Sequence, residues 1–458
     1  MRRSSPPLGT SRLPPLEEAK ITDDVVEDNE LFKVDGEVQY RTMGWMKTAM
    51  VFTKAQFAIG VLSIPAGFSV LGAVGGALLV LSWGALTIYG ALLMGNFRLR
   101  HKGIHTIVDA GTTMGGPILR EICGVFYILG FVLSTSASML SITIGLNALS
   151  DHAICTVWFS LVAMILTLIF ACFPRFGQIG VLTWAGFFSV VTAVLIVVIA
   201  VTTLSRPAAA PAGDFDLGFN AIAHPNFVNG MTSSNTILVS LCGTPAFMTA
   251  ASEMRRPRDY PKSVYWSMGF TVSSYLTFSL VVYRWCGQYV ASPALGSAGP
   301  LIKKISYGIG LPGLVISSCL YLHICSKYTF VRILRNSRHL QEKTKVHYLT
   351  WYGTSLFMAI LSWVVAEAVP FFTSLIGLII VFVGPLAICV PMAMWFYDHR
   401  KMGTNPHLLA KVLHGFLFLV GVFVAVGGAY SACQQIADQY AAGTVGSAFS
   451  CADNSNSL

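Results

Sequence analysis

The chain has 458 residues, of which 54% are hydrophobic and only 11% charged, which excludes an ordinary water-covered domain, where about 25% are charged. Its formal charge of +9 is split into short basic clusters between apolar runs, the pattern of topology-setting loops rather than of a nucleic-acid-binding face. The composition is that of an all-α polytopic membrane protein whose surroundings are the lipid bilayer.

The opening MRRSSPPLGTSRLPP is proline-rich and charged and has no apolar signal core, so residues 1–46 are expected to form a disordered cytosolic tail. Runs of about twenty apolar residues, each long enough to cross a bilayer, then predict eleven spans: 47–70, 73–96, 118–149, 155–173, 179–204, 231–252, 264–285, 301–324, 348–369, 373–396 and 409–432. Alternate loops carry the basic residues, namely Arg98, Arg100 and Lys102; Arg175; Arg255, Arg256, Arg258 and Lys262; Arg332, Arg335, Arg338, Lys343 and Lys345; and Arg400 with Lys401. The other side has Arg206, Arg284, Lys303 and Lys304. The positive-inside rule makes the N-terminus cytosolic, and an odd number of spans places the tail 433–458 outside. Ten cysteines show no CxxC pair; most lie in apolar runs, where they behave as small hydrophobes. Cys155, Cys286, Cys433 and Cys451 fall near outer ends or in the tail, with Cys433 and Cys451 a candidate disulfide.

Two spans contain helix breakers. AIGVLSIPAG (58–67) carries Gly60 and Pro65, and SLCGTPAFMTA (240–250) carries Gly243 and Pro245 amid Ser240, Thr244 and Thr249. Unpaired backbone is tolerated at membrane depth only inside protein or beside a polar cavity. One break alone is as consistent with a kink as with a site. The two lie five spans apart, in equivalent places of two units with opposite topology, about 47–204 and 231–396, and such matched interruptions point to a secondary-transporter site. Freed N–H groups at a half-helix start suit a carboxylate and freed carbonyls suit an ammonium group or a cation. Both poles of a zwitterion are then met without a permanent charge.

The stretches GWMKTAMVFTKAQFAIGVLSIPAGFSVLG (44–72), SEMRRPRDYPKSV (252–264), KYTFVRILRNSRHL (327–340) and AEAVPFFTSLIGLI (366–379) together resemble the amino acid/auxin permease family, most closely its fungal neutral amino acid permeases. The resemblance implies a LeuT-type 5+5 inverted repeat plus one helix, with helices 1 and 6 broken, and cation-driven amino acid uptake. By position it assigns the substrate backbone to Ala58, Ile59, Gly60, Val61, Leu62 and Ser63, and the rest of the pocket to Leu241, Cys242, Gly243, Thr244 and Pro245.

Other polar residues have two readings each. Glu253 is a coupling or gating acid, or, as its place beside EMRRPRD favours, an interfacial carboxylate paired with Arg255 or Arg256. Lys54 and Glu367 can titrate, pair across helices or snorkel. By the resemblance, Ser317 and Ser318 of the eighth span are candidates for completing a sodium site; hydroxyls bonding back to their own helix are the commoner case. His323 can relay protons, though a lone histidine near an interface is more often simply solvated. Trp83, Phe131, Ser134, Thr135 and Ser138 are candidate cavity residues or ordinary packing, as Gly72 and Gly76 are at GxxxG spacing.

Two hydroxyls without a carboxylate make a poor sodium site, so a proton is the expected coupling ion and sodium the alternative. No cofactor or metal is expected, and no GxxxxGK loop, HExxH or GxSxG argues for a pump or an enzyme. The expected function is alternating-access import of neutral L-amino acids across a fungal plasma membrane. A vacuolar transporter and a membrane amino acid sensor are the rivals.

Overall fold

A computed structural model describes residues 41–57, 59–173, 176–335, 337–340, 342–369, 372–441 and 448–455. Ala58, Arg175 and most of the expected N-terminal tail lie outside the described residues. Those described are almost wholly helical, with an isolated backbone bridge between Met43 and Met254.

The first expected span is made of α1 (Trp45–Lys54) and the start of α2 (Ile59–Arg100). At about 1.5 Å per residue, the 42 residues of α2 reach roughly twice a bilayer core of about 30 Å. The helix turns at Gly72, where φ is +76°. There the amides of Ala73 and Val74 donate to Asn220 O and Ala221 O at 3.1 and 2.9 Å, and a Cβ on Gly72 would sit 2.9 Å from Ala221 O. Gly72 is thus the hinge between the first two spans rather than half of a GxxxG packing pair. Gly76 instead makes room for the ring of Phe68.

α3 (Ile107–Ser150) starts in a capping box of Thr106 and Asp109 and bends at Gly115 and Gly116, just before Pro117, so its membrane part begins where span 118–149 was expected. α4 (Thr156–Ala171) and α5 (Phe176–Thr203) follow. The sixth span is in two pieces, α6 (Phe227–Leu241) and α7 (Pro245–Ala251), and α8 (Tyr260–Cys286), α9 (Pro300–Leu334) and α10 (Lys345–Ala368) are the next three. The tenth is also interrupted: α11 (Phe372–Ala387) and α12 (Cys389–Met402) meet at Ile388 between Pro385 and Pro391, where one continuous helix was expected. α13 (Leu408–Ala441) runs beyond the expected end at 432, so that residues 433–441 are helix rather than tail.

Seven helical stretches among the described residues are long and apolar enough to cross a membrane, with α11 and α12 counted as one. The other expected crossings are the interrupted first and sixth, the 16-residue α4 and the more polar α8. The most apolar windows of α3 and α9 are 78% buried and that of α13 17%, so α3 and α9 form the centre and α13 faces lipid. Outward Ile118, Leu349 and Leu419, at 75, 77 and 65% exposure, cost nothing in hydrocarbon.

Cys155 is bonded to Cys451. This replaces the expected Cys433–Cys451 pair, since Cys433 is a free, exposed thiol. Asn147 Nδ2 donates to Asn454 Oδ1 at 2.8 Å and Thr156 Oγ1 to Ala452 O at 2.7 Å, seating the last described residues on the α3–α4 turn. That turn and the chain end therefore share one face of the protein.

Candidate functional site

α1 stops after Lys54, and Ala55, Gln56 and Phe57 form a turn before α2 begins at Ile59. α6 stops at Leu241, and Cys242, Gly243 and Thr244 precede Pro245 at the first position of α7, where a missing N–H costs nothing. The two breaks lie against each other: Ser63 Oγ is 3.4 Å from Ser240 Oγ, and a Cβ on Gly243 would come within 2.8 Å of Gln56 Cγ and 3.4 Å of Ala55 O. The glycine at 243 makes room for the Gln56 side chain of the other break.

Two tyrosines meet the carbonyls that the first break frees. Tyr321 OH of α9 donates to Ala55 O at 2.6 Å, and Tyr275 OH of α8 donates to Gln56 O at 2.6 Å and approaches Ser240 O at 3.3 Å. A Cβ on Gly60 would fall 2.3 Å from the Tyr275 oxygen, so the glycine of the first break is what admits this hydroxyl. Ser63 Oγ donates to Gly60 O at 3.1 Å.

A cavity of about 40 Å³ opens between the breaks, room for two or three waters. Ala55, Gln56 and Gly60 line it from the first break and Val239, Ser240, Cys242 and Gly243 from the second. Phe131 and Ser134 of α3, Tyr321 of α9 and Ile376, Ile379 and Val383 of α11 close it. None of these side chains carries a formal charge. Gln56 Oε1 and Thr244 Oγ1 are buried with no hydrogen-bond partner among the described residues, although Gln56 Nε2 donates to Met268 Sδ at 3.0 Å.

Of the residues assigned by position, Gly60, Cys242 and Gly243 line this cavity. Val61, Leu62 and Leu241 are buried in the core around it, as are Ser63, Thr244 and Pro245. Ile59 opens α2, and Ala58 lies outside the described residues. Phe131 and Ser134 line the cavity as anticipated, whereas Trp83 donates to Ser234 Oγ at 3.3 Å and Thr135 bonds back to Phe131 O at 2.8 Å. Ser138 is buried without a described partner. Gln56, Tyr275, Tyr321 and the α11 wall were missed. The available signal was a tyrosine inside an apolar run, whose hydroxyl must find a partner when buried.

The coupling candidates separate. Lys54 is fully buried and its Nζ has no hydrogen-bond partner among the described residues. Ser317 Oγ bonds back to Gly313 O at 3.0 Å and Ser318 Oγ accepts from Thr167 Oγ1 at 2.9 Å, so both hydroxyls are engaged within the helix packing. Glu253 is completely buried and forms an ion pair with Lys327 of α9. The expected interfacial pairing with Arg255 or Arg256 gives way to this one because Glu253 and Lys327 are both buried, whereas Arg255 and Arg256 are exposed. His323, one turn before Lys327, is also fully buried, edge-on to Trp351 at 5.1 Å; it is not a solvated surface histidine. Glu367 is buried at 7% exposure and bonds with Ser160.

Below the cavity, Phe52 of α1 stacks on Phe247 of α7 at 3.8 Å. Met43 bridges the end of α7 by a bond from its amide to Glu253 O at 3.0 Å and one to its carbonyl from Arg255 N at 2.8 Å. The breaks, the cavity and this packed layer form one assembly.

Residues 41–434 match the family described as transmembrane amino acid transporter protein. The chain belongs to that family. The transporter is 43% identical over 436 residues to a transmembrane transporter of Gibberella moniliformis, covering 94% of this chain and 92% of the relative. It is 30% identical over 444 residues to the N amino acid transport system protein of Neurospora crassa, with 93% and 92% covered. In fold it matches the crystal structure of MhsT in complex with L-phenylalanine, with a TM-score of 0.55 and 12% identity over 86% of this chain and 99% of that one. At that identity the likeness is one of fold, the LeuT type with its first and sixth helices broken.

Proposed function

We propose that this amino acid transporter imports neutral amino acids by proton symport, with alternating access at the two breaks. The observation that carries the neutral preference is the cavity wall: Phe131, Ile376, Ile379 and Val383 offer an apolar surface, and no lining side chain is charged. An ionic substrate side chain would meet no counter-charge there and would be costly to desolvate. The MhsT structure contains L-phenylalanine, an amino acid of this class. The start of α2 offers amides to the substrate carboxylate and the end of α1 offers carbonyls to its ammonium.

Proton coupling is supported by Lys54. It is the last residue of α1, immediately before the two carbonyls of the site. A cation at a helix C-terminus stabilises that end, while an ammonium group at membrane depth needs a negative partner. With no described partner for its Nζ, Lys54 releases and retakes its proton as the site cycles, so proton and amino acid travel together. The engagement of Ser317 and Ser318 weakens the sodium alternative. The disulfide Cys155–Cys451 supports placing the α3–α4 turn and the chain end on an oxidising face, in keeping with a plasma-membrane protein whose N-terminus is cytosolic.

The test is uptake of labelled leucine and phenylalanine into proteoliposomes under an imposed proton gradient or an imposed sodium gradient. Accumulation with protons alone is expected. Accumulation only with sodium would overturn the coupling assignment, and preferential uptake of lysine or glutamate would overturn the specificity.

A further inference from the structure

We propose that the Tyr275 hydroxyl is a pin joining the two broken helices, and that its release from one of them is the step that opens the site. Tyr275 is here a positioning residue for the transport reaction proposed above, on which this inference rests. Its ring is completely buried in α8 and stacks on Phe57 at 5.9 Å with 15° between the planes. Phe57 in turn packs on Phe187 of α5 and Phe270 of α8. The ring thus rests on Phe57 of the first break and, through it, on α5 and α8, and its hydroxyl reaches a carbonyl of each break.

That hydroxyl has one proton and two acceptors. It donates to Gln56 O at 2.6 Å and lies 3.3 Å from Ser240 O, one carbonyl from each break. A single O–H cannot satisfy both fully, so a small relative movement of α1 and α6 can hand the bond from one to the other without leaving the hydroxyl bare. Alternating access rocks one repeat against the other; the two breaks belong to different repeats, so a hydroxyl bonded to both resists that movement. Gly60 belongs to the same device. The atoms nearest its missing Cβ are the Tyr275 oxygen at 2.3 Å, Ser240 Cβ at 2.9 Å and Tyr275 Cζ at 3.0 Å, so the absent side chain makes space for the pin as much as for a substrate.

Cys242 supplies a direct readout, because its buried thiol belongs to the cavity-lining residue at the second break. In protein carrying Cys172→Ser and Cys433→Ser, the rate of Cys242 modification by a small methanethiosulfonate reagent is measured with and without Tyr275→Phe, and a Cys242→Ala control is subtracted. Losing one hydrogen bond of ordinary strength predicts modification about fivefold faster. Equal rates at equal surface level would overturn the pin, because a merely structural role lowers the amount of protein without exposing the site. Should Tyr275→Phe not reach the membrane, Gly60→Ala is compared with Gly60→Ala/Tyr275→Phe. Recovery of uptake in the double variant supports the pin, and uptake no better than that of Gly60→Ala overturns it. Protection of Cys242 by leucine bears on the amino acid site alone; faster modification without leucine protection would keep the pin and remove the substrate assignment.

Discussion

At the first break the carbonyls of Ala55 and Gln56 are met by tyrosine hydroxyls from α9 and α8. At the second the carbonyls of Gly243 and Thr244 are met by the amides of Ala246 and Phe247, at 3.1 and 2.9 Å, within the turn that starts α7. Both interruptions look alike in sequence, a glycine followed by a proline, but they are satisfied by opposite means. In the second, Pro245 sits two residues after Gly243 and restarts the helix itself. In the first, Pro65 lies a full turn into α2, too far along to organise the gap, and partners from distant helices are required. The second break is organised chiefly within its own turn, with Tyr275 approaching it at Ser240 O, and the first by distant helices.

Bulk at either glycine should have the largest effect. Gly60→Val and Gly243→Val place a side chain where Tyr275 and Gln56 already stand; overpacking of about 1–3 kcal/mol should cut leucine uptake at least about tenfold while protein still reaches the membrane. Normal uptake by both would dissolve the assignment of the site to the breaks. Next comes Glu253→Gln, which removes the carboxylate that faces the buried Lys327. Removing one partner of a buried pair costs roughly 3–5 kcal/mol, so thermal stability in detergent should fall markedly and recover in part in Glu253→Gln/Lys327→Met; unchanged stability in the single variant would mean that the pair does not hold α7 to α9. Lys54→Met should bind leucine but lose proton-driven accumulation, and accumulation as in the parent would remove Lys54 from coupling.

The smallest effect sharpens the contrast between the breaks. Tyr321→Phe leaves Ala55 O without its donor, costing about 1–3 kcal/mol for an unsatisfied buried group, so affinity for leucine should shift by about tenfold with little change in amount of protein. Thr244→Val, at the second break, removes a hydroxyl that bonds to no described residue and should be close to neutral for stability. If the two substitutions behave alike, the breaks are not held by different means.

The eleven spans and both interruptions were legible because they depend on local composition: apolar runs of bilayer length, and helix breakers inside them. What stayed hidden depends on partners far along the chain. Tyr275 reaches back 219 positions to Gln56 and Tyr321 reaches 266 to Ala55, and no spacing rule connects them. Glu253 was expected among its neighbouring arginines because sequence proximity was the only guide, whereas its burial places it beside Lys327, 74 positions on. Gly72 illustrates the opposite error: its four-residue spacing to Gly76 suggested helix packing, but its positive φ makes it a turn.

The bond between Cys155 and Cys451, 296 positions apart, turns everything from the fourth span onward into a closed covalent ring. A protease nick in any loop of that ring cannot release a fragment until the disulfide is reduced. Cleaved protein should therefore migrate at nearly full mass on a gel without reductant and split into two pieces with it, while a cut before Cys155 liberates its N-terminal piece under either condition. Loops can thus be sorted by whether their cleavage products stay tethered.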